Sequence, residues 1–474
     1  MSSATRSGQG PLVVVTPPPT PNGRLHIGHV AGPYLRADLY TRLVRHLGGR
    51  EVHHVSHIDT YQSYVPKKAR QLGRDVDEFM AEIRVGIKAD FTSFGIDHDL
   101  FIDNEAPEYL RFLDSAVEYL VDRVPVADAP ARFCADCRTP LFEANLRGNC
   151  GRCLHDAFQN VCENCCVPQE YATMVGPVCG TCGSGEHTVS DERAGQCLPI
   201  GAQDIARIAG LMGPKAAGHR RLESLFRGLA PHSLGLGFAT DYGVFPKGVK
   251  AALNPWIEIY FGHLYSVLRI TGIDTGQEFA DIVAEFNALE SPPTVVNFFG
   301  VDNSYYYAFL FPYLSDRLGL PGMVPEALQA SYFMLLNDAK VSSSRNNAIW
   351  AADLLAEGEL PALRTNLAAA CPEYAEKNYT TTHLRSPGKA APEAPASGAV
   401  QVLLDRLVPL TAPARFGVDE LLNVFDKGRL YSAHLRESAA SRPEAAAVAV
   451  AEAEAEADAI DGFLTSLADR LLLG

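Results

Sequence analysis

Along the first quarter of the chain, short continuous apolar runs alternate with longer stretches in which apolar residues recur every three or four positions. Leu12–Val15 is an unbroken apolar run of strand length, and a helical period follows from about His29 to Leu47. A second strand is predicted over Glu51–Val55, then helices carrying Lys67–Leu72 and Val76–Phe91. Strand–helix alternation over 12–125 predicts parallel strands with helical crossovers: an α/β, Rossmann-like doubly wound sheet that binds ligands at the carboxyl ends of its strands. The pattern breaks at about 128, resumes after about 192 as a helical stretch, and leads into strand-like Val295-Val296-Asn297-Phe298-Phe299. Ser386–Pro395 reads as a linker. The tail beyond it predicts helices, with Ala-Glu alternation at 449–456 and an amphipathic run over Phe463–Leu473.

Length and composition narrow the class. A chain of 474 residues holds two or three domains, and 47% hydrophobic content is ordinary for a globular protein. Its apolar runs fall far short of the roughly 20 residues that span a membrane. Met1–Gly10 is polar, so a soluble cytoplasmic protein without membrane contact is expected. A net charge of −15 argues against a surface built to coat nucleic acid. The 76 residues after Gly398 carry seven Lys or Arg against twelve Asp or Glu, a balance that repels a phosphate backbone.

The break near 128 is filled by cysteines. Eight of the eleven form Cys-x-x-Cys pairs: Cys134/Cys137, Cys150/Cys153, Cys162/Cys165 and Cys179/Cys182. In a large chain without a secretion signal such pairs read as zinc ligands, each pair supplying half of a tetrahedral thiolate site. Two structural Zn2+ ions are implied, and the spacing permits either sequential or nested pairing. Cys166, Cys197 and Cys371 lie outside the pattern and read as ordinary buried thiols.

The candidate chemistry begins at Pro21-Asn22-Gly23-Arg24-Leu25-His26-Ile27-Gly28-His29, directly after the first strand. A strand, a turn and a helix start present backbone N–H groups and two imidazoles to a polyphosphate, with Gly28 leaving room for a nucleobase. Its distant partner is Lys340-Val341-Ser342-Ser343-Ser344. Together with Asp59, Asn254-Pro255-Trp256-Ile257-Glu258 and Phe298-Phe299-Gly300-Val301-Asp302, these motifs resemble the methionyl-tRNA synthetase family of class I aminoacyl-tRNA synthetases. The resemblance covers roughly residues 10 to 380.

That resemblance implies ATP-dependent amino-acid activation, with ATP and Mg2+ as substrate. His26, His29 and Lys340 would be catalytic; Asn22, Gly28, Gly300, Asp302, Ser342 and Ser344 would hold ATP. Asp59 would bind the α-ammonium, and Thr16, Pro18, Trp256, Glu258, Tyr260, His263 and Tyr307 would complete the amino-acid site. It also implies nested zinc knuckles, the first cysteine pair with the fourth and the second with the third. The expected division is 1–127 for the first catalytic half, 128–192 for the zinc insertion, 193–385 for the second half and its lysine loop, and 386–474 for linker and tail.

Several positions depart from the family. Ser343 replaces the second lysine of the expected Lys-Met-Ser-Lys-Ser, leaving Lys340 and Arg345 to compensate. Ile259 and Tyr260 stand where Ala and Pro are expected, His263 replaces a tyrosine, Tyr307 a histidine, Val301 a lysine and Glu258 an aspartate. Of His53, His54 and His57, strand spacing puts His53 and His57 on one face and His54 on the other; His57 is expected to line the region near Asp59. With the short acidic tail, these changes favour a paralogue that activates an amino acid for a small acceptor. Paralogues of this kind esterify an N-hydroxylated amino acid, and a separate cupin protein completes an N–N bond. The chain has no cupin region of its own, and tRNA is not an expected partner. A genuine methionine–tRNA ligase and a silent binding protein are the alternatives.

Overall fold

The computed structural model describes residues 9–159, 161–336, 338–341, 348–356, 359–379, 405–440 and 447–473. In chain order its strands begin with β1 (Leu12–Val15), β2 (Val52–Ser56) and β3 (Leu100–Phe101). Next come β4 (Ala127–Cys134), β5 (Glu143–Asn149), β6 (Asp156–Gln159), β7 (Val175–Cys179), β8 (His187–Ile200), β9 (His232–Phe238) and β10 (Ala252–Leu253). Then follow β11 (Thr294–Gly300) and β12 (Ala327–Ser331).

The central sheet has the order β12-β11-β1-β2-β3 and is parallel throughout. Its middle strand, β1, is buried on both faces: Val13 and Val15 enter one core cluster, Leu12 and Val14 the other. That two-sided burial is why its sequence is unbroken apolar. The chain leaves β1 toward β2 on one side, and β11 returns on the other. The carboxyl end of β1 is therefore the point where strand order reverses, which opens a ligand crevice there. The helical segment beyond it passes through a π turn at Val30–Tyr34, where Pro33 offers no N–H.

Between β3 and β11 lies the cysteine-rich region. β8 pairs with β4 on one edge and β9 on the other, and β9 pairs with β10, so this antiparallel sheet runs past residue 192 to Leu253. A three-stranded sheet, β6-β5-β7, carries most of the cysteine knuckles. The tail folds as helices Val418–Ala440 and Ala447–Ala468, joined by Arg436 to Asp458 and Asp461 at 2.7 and 2.6 Å. Buried Arg364 ties the tail to the sheet domain, donating to the carbonyls of Leu471 at 3.0 Å and Phe94 at 2.6 Å while pairing with Asp38. Among the described residues no helix is long and apolar enough to cross a membrane. Ser386–Pro395 lies outside the described residues.

Candidate active site

His26 ends the turn after β1 and caps the short helix Ile27–His29. Its ring lies flat on that of His29, centroids 3.6 Å apart and planes inclined by 11°. Each Nδ1 accepts a backbone N–H from the other residue, at 3.3 Å into His26 and 3.4 Å into His29. An Nδ1 that accepts leaves the proton on Nε2, so both neutral rings have an Nε2–H donor. Burial and then the Lys340 ammonium pull His26 down to about 4; burial, His26 and Lys340 hold His29 well below the usual range. A Cβ at Gly28 would meet the His26 ring at 3.2 Å, so the glycine permits the stack.

These side chains open onto a cavity of about 390 Å3 at the switch point of the sheet. His26, His29, Gly28, Asn22, Pro18, Asp59, Trp256, Gly300, Asp302 and Lys340 all line it. Asp59 is buried, takes a hydrogen bond from Thr20 Oγ1 at 2.6 Å through Oδ2, and has no partner for Oδ1. Burial raises its pKa well above the carboxylate range; the Thr20 and Gln62 side chains oppose that shift, and Glu258 and Glu143 add to it. A buried carboxylate with one idle oxygen suits a cationic ligand. Trp256 stacks on Tyr306 at 3.6 Å and 3°, forming an apolar wall.

Lys340 reaches the cavity from the strand Ala339–Lys340, pairs with Glu163 at 2.8 Å and lies over the Phe333 ring. Burial raises Asp302, and the Lys340 ammonium lowers it. A Cβ at Gly300 would strike Asp302 Oδ1 at 2.5 Å. Ser342, Ser343, Ser344 and Arg345 lie outside the described residues. Both ends of their segment are fixed beside the histidines: Val341 N donates to Met334 O, and Ile27 N and Ala351 N exchange bonds with Ile349 and Leu25.

The eight paired cysteines gather into two sets, Cys134/Cys137/Cys179/Cys182 and Cys150/Cys153/Cys162/Cys165, and within each set all sulfurs lie within 4.8 Å of one another. Cross-pair distances are 3.5 Å for Cys134–Cys182, 3.6 Å for Cys137–Cys179, 3.7 Å for Cys150–Cys165 and 3.5 Å for Cys153–Cys162. A tetrahedral zinc with Zn–S of about 2.3 Å sets its sulfurs about 3.8 Å apart, so both sets fit the ion. Every pair is followed by a residue of positive φ, Arg138, Leu154, Cys166 and Gly183, whose N–H returns to the carbonyl of the pair's first cysteine. Cys166 therefore occupies a turn position of its knuckle. Cys371 is buried and Cys197 half-buried.

The family described as "tRNA synthetases class I (M)" matches residues 12–387. The chain belongs to it. Among curated relatives, the methionine–tRNA ligase of Porphyromonas gingivalis is 25% identical over 380 residues, which are 78% of this chain and 54% of that protein. The methionine–tRNA ligase of Chlamydia caviae is 24% identical over 377 residues, 78% of this chain and 66% of its own. The chain thus spans about half the length of the first of these. A Mycobacterium tuberculosis methionyl-tRNA synthetase solved with methionyl-adenylate shares the fold, at TM-score 0.66 and 12% identity over 98% of this chain and 92% of the other.

Five residues that the class I (M) resemblance assigned to the amino-acid site pack behind the cavity wall. Thr16 meets His54 Nε2 at 3.2 Å, and Tyr260 meets Ser315 at 3.1 Å. Glu258 accepts from Tyr109 at 2.6 Å and Asn104 at 3.1 Å, and burial raises it to about 7. His263 contacts Tyr307 at 3.1 Å. His57 lies past the end of β2, packed edge-on to His263 and against Gly262, where a Cβ would come within 2.7 Å of its ring; His53 turns away to Glu51. Thr20, Glu163 and Tyr306 are cavity residues that the sequence did not single out. Only Glu163 had a local signal, its place between Cys162 and Cys165.

Proposed function

We propose that this chain activates an amino acid with ATP and Mg2+, releasing pyrophosphate, and passes the aminoacyl group to a small-molecule acceptor such as an N-hydroxylated amino acid, with a separate cupin protein acting afterwards. The observation that carries the reading is the meeting of the paired histidines, Asp59, Trp256, Asp302 and Lys340 around one cavity at the sheet's switch point. In the proposed step the substrate carboxylate attacks the α-phosphorus and the bond to pyrophosphate breaks. The Nε2–H groups of His26 and His29 and the Lys340 ammonium meet charge growing on the phosphates, while Asp59 holds the α-ammonium. Two Zn2+ ions in the cysteine sets would cross-link the knuckles; with four sulfurs each, they have no open position for substrate.

The choice of a small acceptor is supported by charge. Helix Ala447–Ala468 carries five acids and no Lys or Arg, on a chain of net charge −15. An RNA acceptor would have to be gripped against that field. The relatives named as methionine–tRNA ligases favour the second reading, a tRNA-charging enzyme. Amino-acid-dependent ATP–pyrophosphate exchange over the proteinogenic set tests activation, and a mobility-shift titration with methionine tRNA tests the acceptor. Exchange without submicromolar tRNA binding at physiological salt is expected. Methionine-only exchange with tight, salt-sensitive binding and charging of the tRNA would return the chain to translation.

A further inference from the structure

A second cavity of about 400 Å3 lies beside the sheet β4-β8-β9 and is lined as well by Pro140–Phe142, Pro168–Ala172, Tyr305 and Tyr306. It matches the first in size, and Tyr306 lines both. Arg132 and Glu170 face it. Among the described residues neither forms an ion pair: the Arg132 guanidinium lies over the Tyr171 ring and meets the His187 ring at 3.2 Å, and Glu170 Oε1 accepts the Ser233 N–H at 2.7 Å. Gln169, 6% exposed, also lines it, and its Oε1 has no partner.

Opposite charges without an ion-pair partner among the described residues, beside a buried carbonyl lacking a donor, form an incomplete set of contacts. A ligand carrying both an ammonium and a carboxylate completes it, because each end finds its counter-ion and an N–H can fill the Gln169 acceptor. Apolar walls at Phe142 and Phe238, stacked at 4.6 Å, suit a short aliphatic body. We infer that this second cavity is the acceptor site, and that it takes a small zwitterion of the amino-acid class whose nucleophilic end points at the Tyr306 partition.

This rests on the proposed function for its chemistry. The acceptor's nitrogen or oxygen adds to the aminoacyl carbonyl carbon, the acyl–phosphate C–O bond breaks, AMP leaves with that electron pair, and the acceptor's proton passes to water. The binding claim stands apart and is tested without ATP.

Saturation-transfer NMR on the full-length Asp59→Asn protein, whose catalytic cavity holds an α-ammonium about a hundredfold more weakly, is the experiment. The probes are the twenty proteinogenic amino acids and N-hydroxyglycine, each beside its N-acetyl and amide forms. At least one zwitterion should bind, with affinity falling tenfold or more in Glu170→Gln, in Arg132→Gln and on blocking either charged end. Unchanged zinc content and thermal midpoint identify folded variants. If no probe binds, or binding ignores both substitutions and both blocking groups, the inference is overturned. Pyrophosphate exchange by the wild-type chain reports separately on activation, so loss of one does not imply loss of the other.

Discussion

Replacing Asp59 by Asn should stabilise the protein while disabling amino-acid binding, two effects of opposite sign from one buried carboxylate. The side chain is 3% exposed, Oδ1 has no partner, and the environment raises its pKa through burial first and then through Glu258 and Glu143. An ionised Asp59 is thus costly in the empty protein. An amide keeps the acceptor for Thr20 and removes the charge, while its amino group inherits the unpartnered place of Oδ1; loss of the charge alone relieves on the order of 1–3 kcal/mol. In a chain of this size that is a rise of about a few degrees in midpoint. The pH sign is fixed by linkage. A carboxyl whose folded pKa is raised has its stability intact below the unfolded value and loses it as pH rises through the folded value, so the variant's advantage grows from acid toward pH 8. The ammonium of a bound amino acid would lose a desolvated ion pair worth about 3 kcal/mol, roughly a hundredfold in KM. Differential scanning calorimetry at two pH values and amino-acid titration of exchange supply the readouts. A lower midpoint together with unchanged KM would mean that Asp59 is structural, and the reasoning fails.

The paired histidines give a second test: His29→Ala should lower kcat for exchange by about 10²–10³, the usual effect of deleting one donor to transition-state charge, with little change in amino-acid KM. Metal analysis of chelator-washed protein should return two zinc ions per chain, one after Cys134→Ser and one after Cys150→Ser; loss of both ions from either variant would contradict independent sites. Glu258 is raised by burial to about 7 from 4.5, so its stabilising protonated form is lost as pH rises through 7. Relative to wild type, Glu258→Gln should gain about 1–3 kcal/mol between pH 5 and 8.5 by chemical denaturation, and a pH-independent difference would count against a buried, ionising group.

What could be read in advance follows the range of the interactions involved. β1 was legible because burial on both faces leaves an unbroken apolar run, and the turn at His26 because the motif is contiguous. Cysteine spacing identified the ligands, but the choice between sequential and nested sets rests on which sulfurs meet in the fold, a long-range fact absent from local spacing. Helix Pro255–Ile270 is buried almost throughout, so no amphipathic stripe marks the side of Trp256 that faces the cavity from the side of Glu258 and His263 that does not. Thr20 reaches Asp59 across 39 residues, and Tyr306 meets Trp256 across the rest of helix Pro255–Ile270, helix Phe279–Asn287 and β11. Neither contact has a periodicity to betray it.

Rapid-quench mass spectrometry under single-turnover conditions shows whether the cavity at His26, His29, Asp59 and Lys340 forms an adenylate. Zinc-loaded protein in excess over ATP, with Mg2+ and each amino acid in turn, should yield aminoacyl-AMP and pyrophosphate for at least one amino acid, and none in His29→Ala on the same timescale. ADP and phosphate as the products, or intact ATP with every amino acid, would contradict an adenylate-forming site at His26, His29, Asp59 and Lys340.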